Sequence, residues 1–160
     1  MIRKAKHLLT LCRHQNLKLA TAESCTGGLL SGAITTVPGA SDVFDRGFVT
    51  YSNGAKVELL GVEPAVLSRF GAVSEEVAHE MASGAIVHSA AHMAVSITGL
   101  AGPGGSAHKP EGRVCFGLAW RGHPTVTETI EFGALGRGKV RRASVHHALD
   151  LMIAALERQA

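Results

Sequence analysis

The chain is short of several things, and each shortage removes a class of function. It has three cysteines, at positions 12, 25 and 115, an odd number. None are spaced as CxxC, so neither a disulfide framework nor a zinc ribbon is expected. Cys12 and Cys115 read as small buried hydrophobes. Aromatic residues are scarce, with one Trp, one Tyr and five Phe, and the net charge is only +3. Nucleic-acid surfaces carry a dense basic stripe with aromatics between the cations. The one basic cluster here is "RGKVRR" (Arg137 to Arg142), so no nucleic-acid partner is expected. No apolar run approaches the roughly 20 residues of a membrane span, and no membrane partner is expected. The N-terminal "MIRKAKHLLTLCRHQN" lacks the apolar core and small-residue cleavage site of a signal peptide, which points to a cytoplasmic location. Repeats, low-complexity tracts and linkers are missing too, so residues 1–160 read as one domain.

Histidine is not scarce, with nine. His88 and His92 have i, i+4 spacing, and His146, His147 and Asp150 sit together near the C-terminus. No HExxH or comparable ligand signature accompanies them, so no metal is expected.

What is present is a regular alternation of helical and extended patterns. Ile2, Ala5, Leu8, Leu9 and Cys12 recur at helical spacing. "LKLATAE" reads as a buried strand, and "CTGGLLSGAITTV" as a helix stopped by Pro38-Gly39. "RGFVTYS" is a strand, "NGAKVELLG" a short helix ending at Gly61, and "PAVLSRFG" a helix with Pro at its first position. Ser74 is expected to cap the helix "SEEVAHEMASGAIVHSA". "MAVSITG", "GRVCFGLAW" and "TVTETIEF" are strands, the last two paired across "RGHP". "GKVRRASVHHALDLMIAALERQ" closes the chain as an amphipathic helix. The pattern predicts an α/β fold, a mixed sheet covered by helices.

Three polar or glycine-rich loops follow predicted strands, where α/β sheets bind ligands, and they are expected to converge. The first, "ESCTGG", either caps a helix with Ser24 or presents Ser24 as a nucleophile beside an anion-binding turn. Thr26 would add a hydroxyl, and Gly27 and Gly28 would let a ligand approach the backbone. The second, "YSNGAK", offers Lys56 as a base for a serine if the amine is desolvated and neutral; otherwise Lys56 is a solvated cation. Tyr51 and Asn53 would orient the amine or relay a proton. The third, "TGLAGPGG", is a long connector or an anion-binding nest. Arg137 either faces solvent or reaches a phosphate.

"TAESCTGG", "RGFVTYSNGAKVELLGV", "GAVSEEVAHEMASGA" and "AVSITGLAGPGG…KPEG" occur in this order, within roughly residues 5 to 155. Together they resemble the CinA C-terminal domain family, the nicotinamide-nucleotide amidohydrolases, in its stand-alone form. The resemblance implies hydrolysis of the carboxamide of nicotinamide mononucleotide (NMN) to nicotinate mononucleotide and ammonia, in pyridine-nucleotide salvage, with no metal and no cofactor. It assigns the serine nucleophile to Ser24, the lysine base to Lys56 and a helper role to Tyr51. Cys25, Thr26, Gly27, Gly28, Asn53, Gly99, Ala101, Gly102 and Arg137 are the expected substrate-binding residues. Three features depart from the family pattern. The loop "AGPGGS" is one residue shorter, Glu111 stands where valine is usual, and "FGALGR" has an insertion and lacks an Asp. These departures keep a second reading open: a pyridine-nucleotide-binding or protein-interaction module of a competence or damage response. The amphipathic last helix is compatible with a homo-oligomer without requiring one.

Overall fold

A computed structural model describes residues 1–159. Its elements follow the predicted order: α1 (Ile2–His14), β1 (Leu19–Glu23), α2 (Leu29–Thr35), β2 (Phe44–Val49), α3 (Asn53–Leu60), α4 (Pro64–Phe70), α5 (Glu75–Val87), β3 (Met93–Gly99), β4 (Arg113–Trp120), β5 (Val126–Glu131) and α6 (Arg137–Glu157). One turn of 3-10 helix (Ala40–Asp42) precedes β2.

The strands form one sheet in the order β2-β1-β3-β4-β5. β1 runs parallel to β2 and β3, while β4 is antiparallel to both of its neighbours. The sheet is therefore mixed, as the α/β pattern predicted. Every residue of β1 is buried, which fits a parallel strand covered on both faces.

Side-chain alternation splits the core in two. Leu19, Val95, Ile97 and Phe116 pack against α1, α2 and α6. Ala20, Ala22 and Ala94 face the other way, against α3, α4 and α5. Small residues on that second face let the helices come close. At Gly84 in α5, a Cβ would stand 2.0 Å from the Leu60 carbonyl oxygen at the end of α3. The end of α3 is thus packed tightly on α5, and α3 delivers Lys56 to Ser24 just beyond β1.

The cap expected at Ser74 is present, and Ser52 caps α3 in the same way. The Ser52 hydroxyl accepts from the Ala55 N–H at 3.0 Å, and the Ser74 hydroxyl accepts from the Val77 N–H at 3.3 Å. One boundary differs. The sequence pattern starts the second helix at Cys25, but α2 begins at Leu29. Gly27 and Gly28 have φ of 58° and 97°, a left-handed backbone that cannot continue a right-handed helix. Residues 24–27 instead form a tight turn, with the Gly27 N–H donating to the Ser24 carbonyl at 3.0 Å.

Candidate active site

Ser24 is the first residue beyond β1. Its N–H donates to the Ile97 carbonyl of β3 at 2.9 Å, which anchors it to the sheet end. Lys56 lies in the first turns of α3. Its Nζ stands 3.0 Å from the Ser24 Oγ and donates to the Thr50 carbonyl at 2.8 Å.

Lys56 is only 1% exposed. Among the described residues it forms no ion pair with a carboxylate. Burial disfavours the charged form, so the Lys56 ammonium titrates below the ordinary lysine range; the charge of Cys25 acts in the opposite sense as a smaller effect. That opposing effect has little force near neutrality, because burial pushes the Cys25 thiol itself up to about 11. A neutral amine has two N–H donors and one lone pair. With one N–H on the Thr50 carbonyl, the lone pair is free to face Ser24.

The pair opens into a cavity of about 410 Å³, within the size range of small-ligand sites. The three loops meet there. Ser24, Cys25, Tyr51, Asn53, Lys56, Gly99, Ala101, Gly102 and Arg137 all line it. Thr26, Gly27 and Gly28 are not part of the lining. The Thr26 hydroxyl is buried with no hydrogen-bond partner among the described residues. The sequence pattern missed Thr98 and the Ala72–Val73 wall, which also border the cavity. Thr98 is the last-but-one residue of β3, close to a strand end of the kind that drew attention to Ser24. Ala72 and Val73 carry no polar group and left no sequence signal.

Tyr51 is 61% exposed, and its hydroxyl accepts from the Arg137 guanidinium at 2.7 Å. A second Arg137 nitrogen donates to the Gly102 carbonyl at 2.8 Å. Arg137 therefore bridges the "YSNGAK" and "TGLAGPGG" loops at the cavity. The position beside the Lys56 amine, expected for Tyr51 or Asn53, is held by the Thr50 carbonyl.

The start of α2 is not open to a ligand anion. Glu23, fully buried, turns its carboxylate back onto it. Its oxygens accept from the Leu30 N–H at 2.8 Å, the Ser31 N–H at 3.0 Å and the Ser31 hydroxyl at 2.7 Å. The helix terminus is capped by the residue before Ser24, and this corrects the expectation that its N–H groups face a ligand. Arg141 braces the same turn from α6, donating to the Cys25 carbonyl at 3.1 Å and the Thr26 carbonyl at 3.2 Å. Neither Glu23 nor Arg141 was singled out by the sequence pattern.

The histidine groups lie elsewhere. His147 pairs with Glu128, and the His92 Nδ1 accepts from the Lys18 N–H at 2.9 Å. Among the described residues, no three His, Cys, Asp or Glu side chains group as a metal site. No helix among them is long and apolar enough to cross a membrane.

Comparison with known proteins places the chain in a family. The CinA C-terminal domain family model matches residues 2–156. A nicotinamide-nucleotide amidohydrolase PncC from Enterobacter agglomerans is 56% identical over 112 residues, covering 69% of this chain and 68% of the relative. A putative competence-damage inducible protein from Caldicellulosiruptor saccharolyticus is 48% identical over 147 residues, covering 91% of this chain and 35% of the relative. The chain thus spans about a third of the length of several such curated relatives. Among solved structures, the competence/damage inducible protein CihA from Agrobacterium tumefaciens superposes with a TM-score of 0.93 at 45% identity, covering 98% of this chain and 94% of that one. With nearly its whole length matched in sequence and fold, the chain belongs to the CinA C-terminal domain family.

Proposed function

We propose that the protein is a serine amidohydrolase that hydrolyses the carboxamide of NMN to nicotinate mononucleotide and ammonia. The observation that carries the reading is the buried Ser24–Lys56 contact at 3.0 Å, with no carboxylate among the described residues paired to the lysine. The PncC relative supplies the substrate class.

The steps follow from the atoms present. Neutral Lys56 takes the Ser24 proton as Oγ attacks the carboxamide carbon. Negative charge develops on the carbonyl oxygen. The Ser24 N–H is already spent on Ile97, so it is not a donor to that oxygen. The next N–H group, of Cys25, which lines the cavity, has no backbone partner among the described residues and is the assigned oxyanion donor. The C–N bond breaks, and the departing nitrogen takes the proton from Lys56 and leaves as ammonia. Water then attacks the ester carbon and gives a proton to Lys56, which returns it to the Ser24 oxygen. Arg137 and the backbone of the Gly99–Gly105 loop form the cradle for the phosphate, where a guanidinium makes charge-assisted bonds.

The test is ammonia release and nicotinate mononucleotide formation from NMN by purified protein in EDTA. Nicotinamide riboside, which lacks the phosphate, is expected to lose about tenfold or more in kcat/KM. A folded protein that releases no ammonia from NMN removes the proposal and leaves the binding-module reading.

A further inference from the structure

Residues 70–73, between α4 and α5, form one wall of the cavity, with Ala72 and Val73 in the lining. They belong neither to β-strand nor, past Phe70, to helix. Even so, each of their four carbonyls is held by a side-chain donor. Lys109 Nζ donates to the Phe70 carbonyl at 2.6 Å and also to the Val73 carbonyl. The Ser74 hydroxyl donates to the Gly71 carbonyl at 2.8 Å, and the Thr98 hydroxyl to the Ala72 carbonyl at 2.7 Å.

Lys109 supplies two of these four contacts, and it comes from the loop that forms another wall. Gly102, Gly104 and Gly105 of that loop line the cavity, whereas Lys109 does not. The Ser106 N–H donates to the Lys109 carbonyl at 2.9 Å. Gly105 packs so closely there that a Cβ would stand 2.3 Å from the same oxygen. One residue thus grips one wall with its ammonium and folds the other around its backbone. Among the described residues Lys109 forms no salt bridge, so carbonyls are its polar partners.

We propose that Lys109 is a positioning residue that clamps these two walls and thereby sets substrate affinity without touching substrate. The clamp stands on the geometry alone; its effect on affinity for NMN rests on the amidohydrolase reading.

The experiment compares wild type, Lys109→Met and Lys109→Arg by steady-state kinetics on NMN, thermal melting and amide hydrogen exchange. Met keeps the stem and removes the donors, while Arg restores donors that can reach two carbonyls. Lys109→Met is expected to raise KM about tenfold and leave kcat within about threefold, because Ser24 and Lys56 are untouched. Lys109→Arg is expected to bring KM back to within about threefold of wild type. In Lys109→Met the amides of Gly71 and Ser106, one in each wall, are expected to exchange about tenfold faster, with β3 unchanged. Unaltered exchange at either wall overturns the clamp. So does an unchanged KM in an active enzyme, or a kcat that falls in step with the melting temperature. If wild type releases no ammonia from NMN, the amidohydrolase reading fails, and the exchange pattern still decides the clamp.

Discussion

Glu23→Gln tests whether the start of α2 is a structural cap or an anion site. The carboxylate accepts three hydrogen bonds in a fully buried position, one on Oε1 and two on Oε2. Glutamine keeps the shape but has one acceptor oxygen. If that oxygen keeps the two Ser31 bonds, its NH2 faces the Leu30 N–H, donor against donor. The loss is one charge-assisted bond together with an unpaired buried donor, about 2–3 kcal/mol. For a chain of this size, about 1 kcal/mol shifts the melting temperature by about 2–4 °C, so a fall of about 4–12 °C is expected. Calorimetry or circular dichroism measures it. Glu23 does not line the cavity, so KM for NMN, measured well below the melting transition, is expected to stay within about twofold. A melting temperature within about 2 °C of wild type would refute the cap. A KM that falls would show that the freed α2 amides bind the substrate anion after all.

Three further outcomes follow from the same geometry. The proposed reaction needs neutral Lys56, so kcat/KM should rise with pH along a limb whose midpoint lies below about 10.4, the ordinary lysine value; a pH–rate profile measures it. Because the folded-state pKa is lowered, the unfolded chain binds the extra proton between the two values, and wild-type stability should rise with pH across that window. Lys56→Met removes this dependence, so its melting temperature relative to wild type should be highest near neutrality and decline as pH approaches about 10.4. Arg137→Met should raise KM for NMN by about tenfold or more and alter the riboside much less, which paired kinetics on the two substrates would read.

The fold was legible because its signals are local. Ser74, Pro64 and Gly61 mark helix ends through capping and backbone preference, and the structure places helix boundaries at each. The sheet was legible from short apolar runs flanked by glycine-rich turns, and its mixed character from one close hairpin after two buried strands. The start of α2 was misread because "CTGGLLSG" has no proline or charge to break it. The left-handed backbone at Gly27 and Gly28 is a tertiary fact, set by the turn that seats Ser24.

Within the site, loops that follow strand ends pointed to Ser24 and Lys56, and the basic cluster that opens the last helix pointed to Arg137. The partners that hold them come from distant positions. Thr50 was read as an ordinary strand residue, and it is its backbone, not its side chain, that meets Lys56. Arg141 reaches the turn after β1 across more than a hundred residues of chain, contacting carbonyls that have no sequence signature. The Tyr51–Arg137 contact is likewise a pairing of two exposed, long side chains that spacing alone does not fix.

The most direct measurement is NMN turnover by Ser24→Ala and Lys56→Met beside wild type, with folding of each variant checked by circular dichroism. The Ser24–Lys56 contact is the whole of the assigned proton path. Both variants are therefore expected to lose at least about a thousandfold in kcat, and the double variant little more than either one, since residues acting as a unit are not additive. A Ser24→Ala protein that still releases ammonia at a rate near wild type would contradict the account, whatever the fate of Lys56.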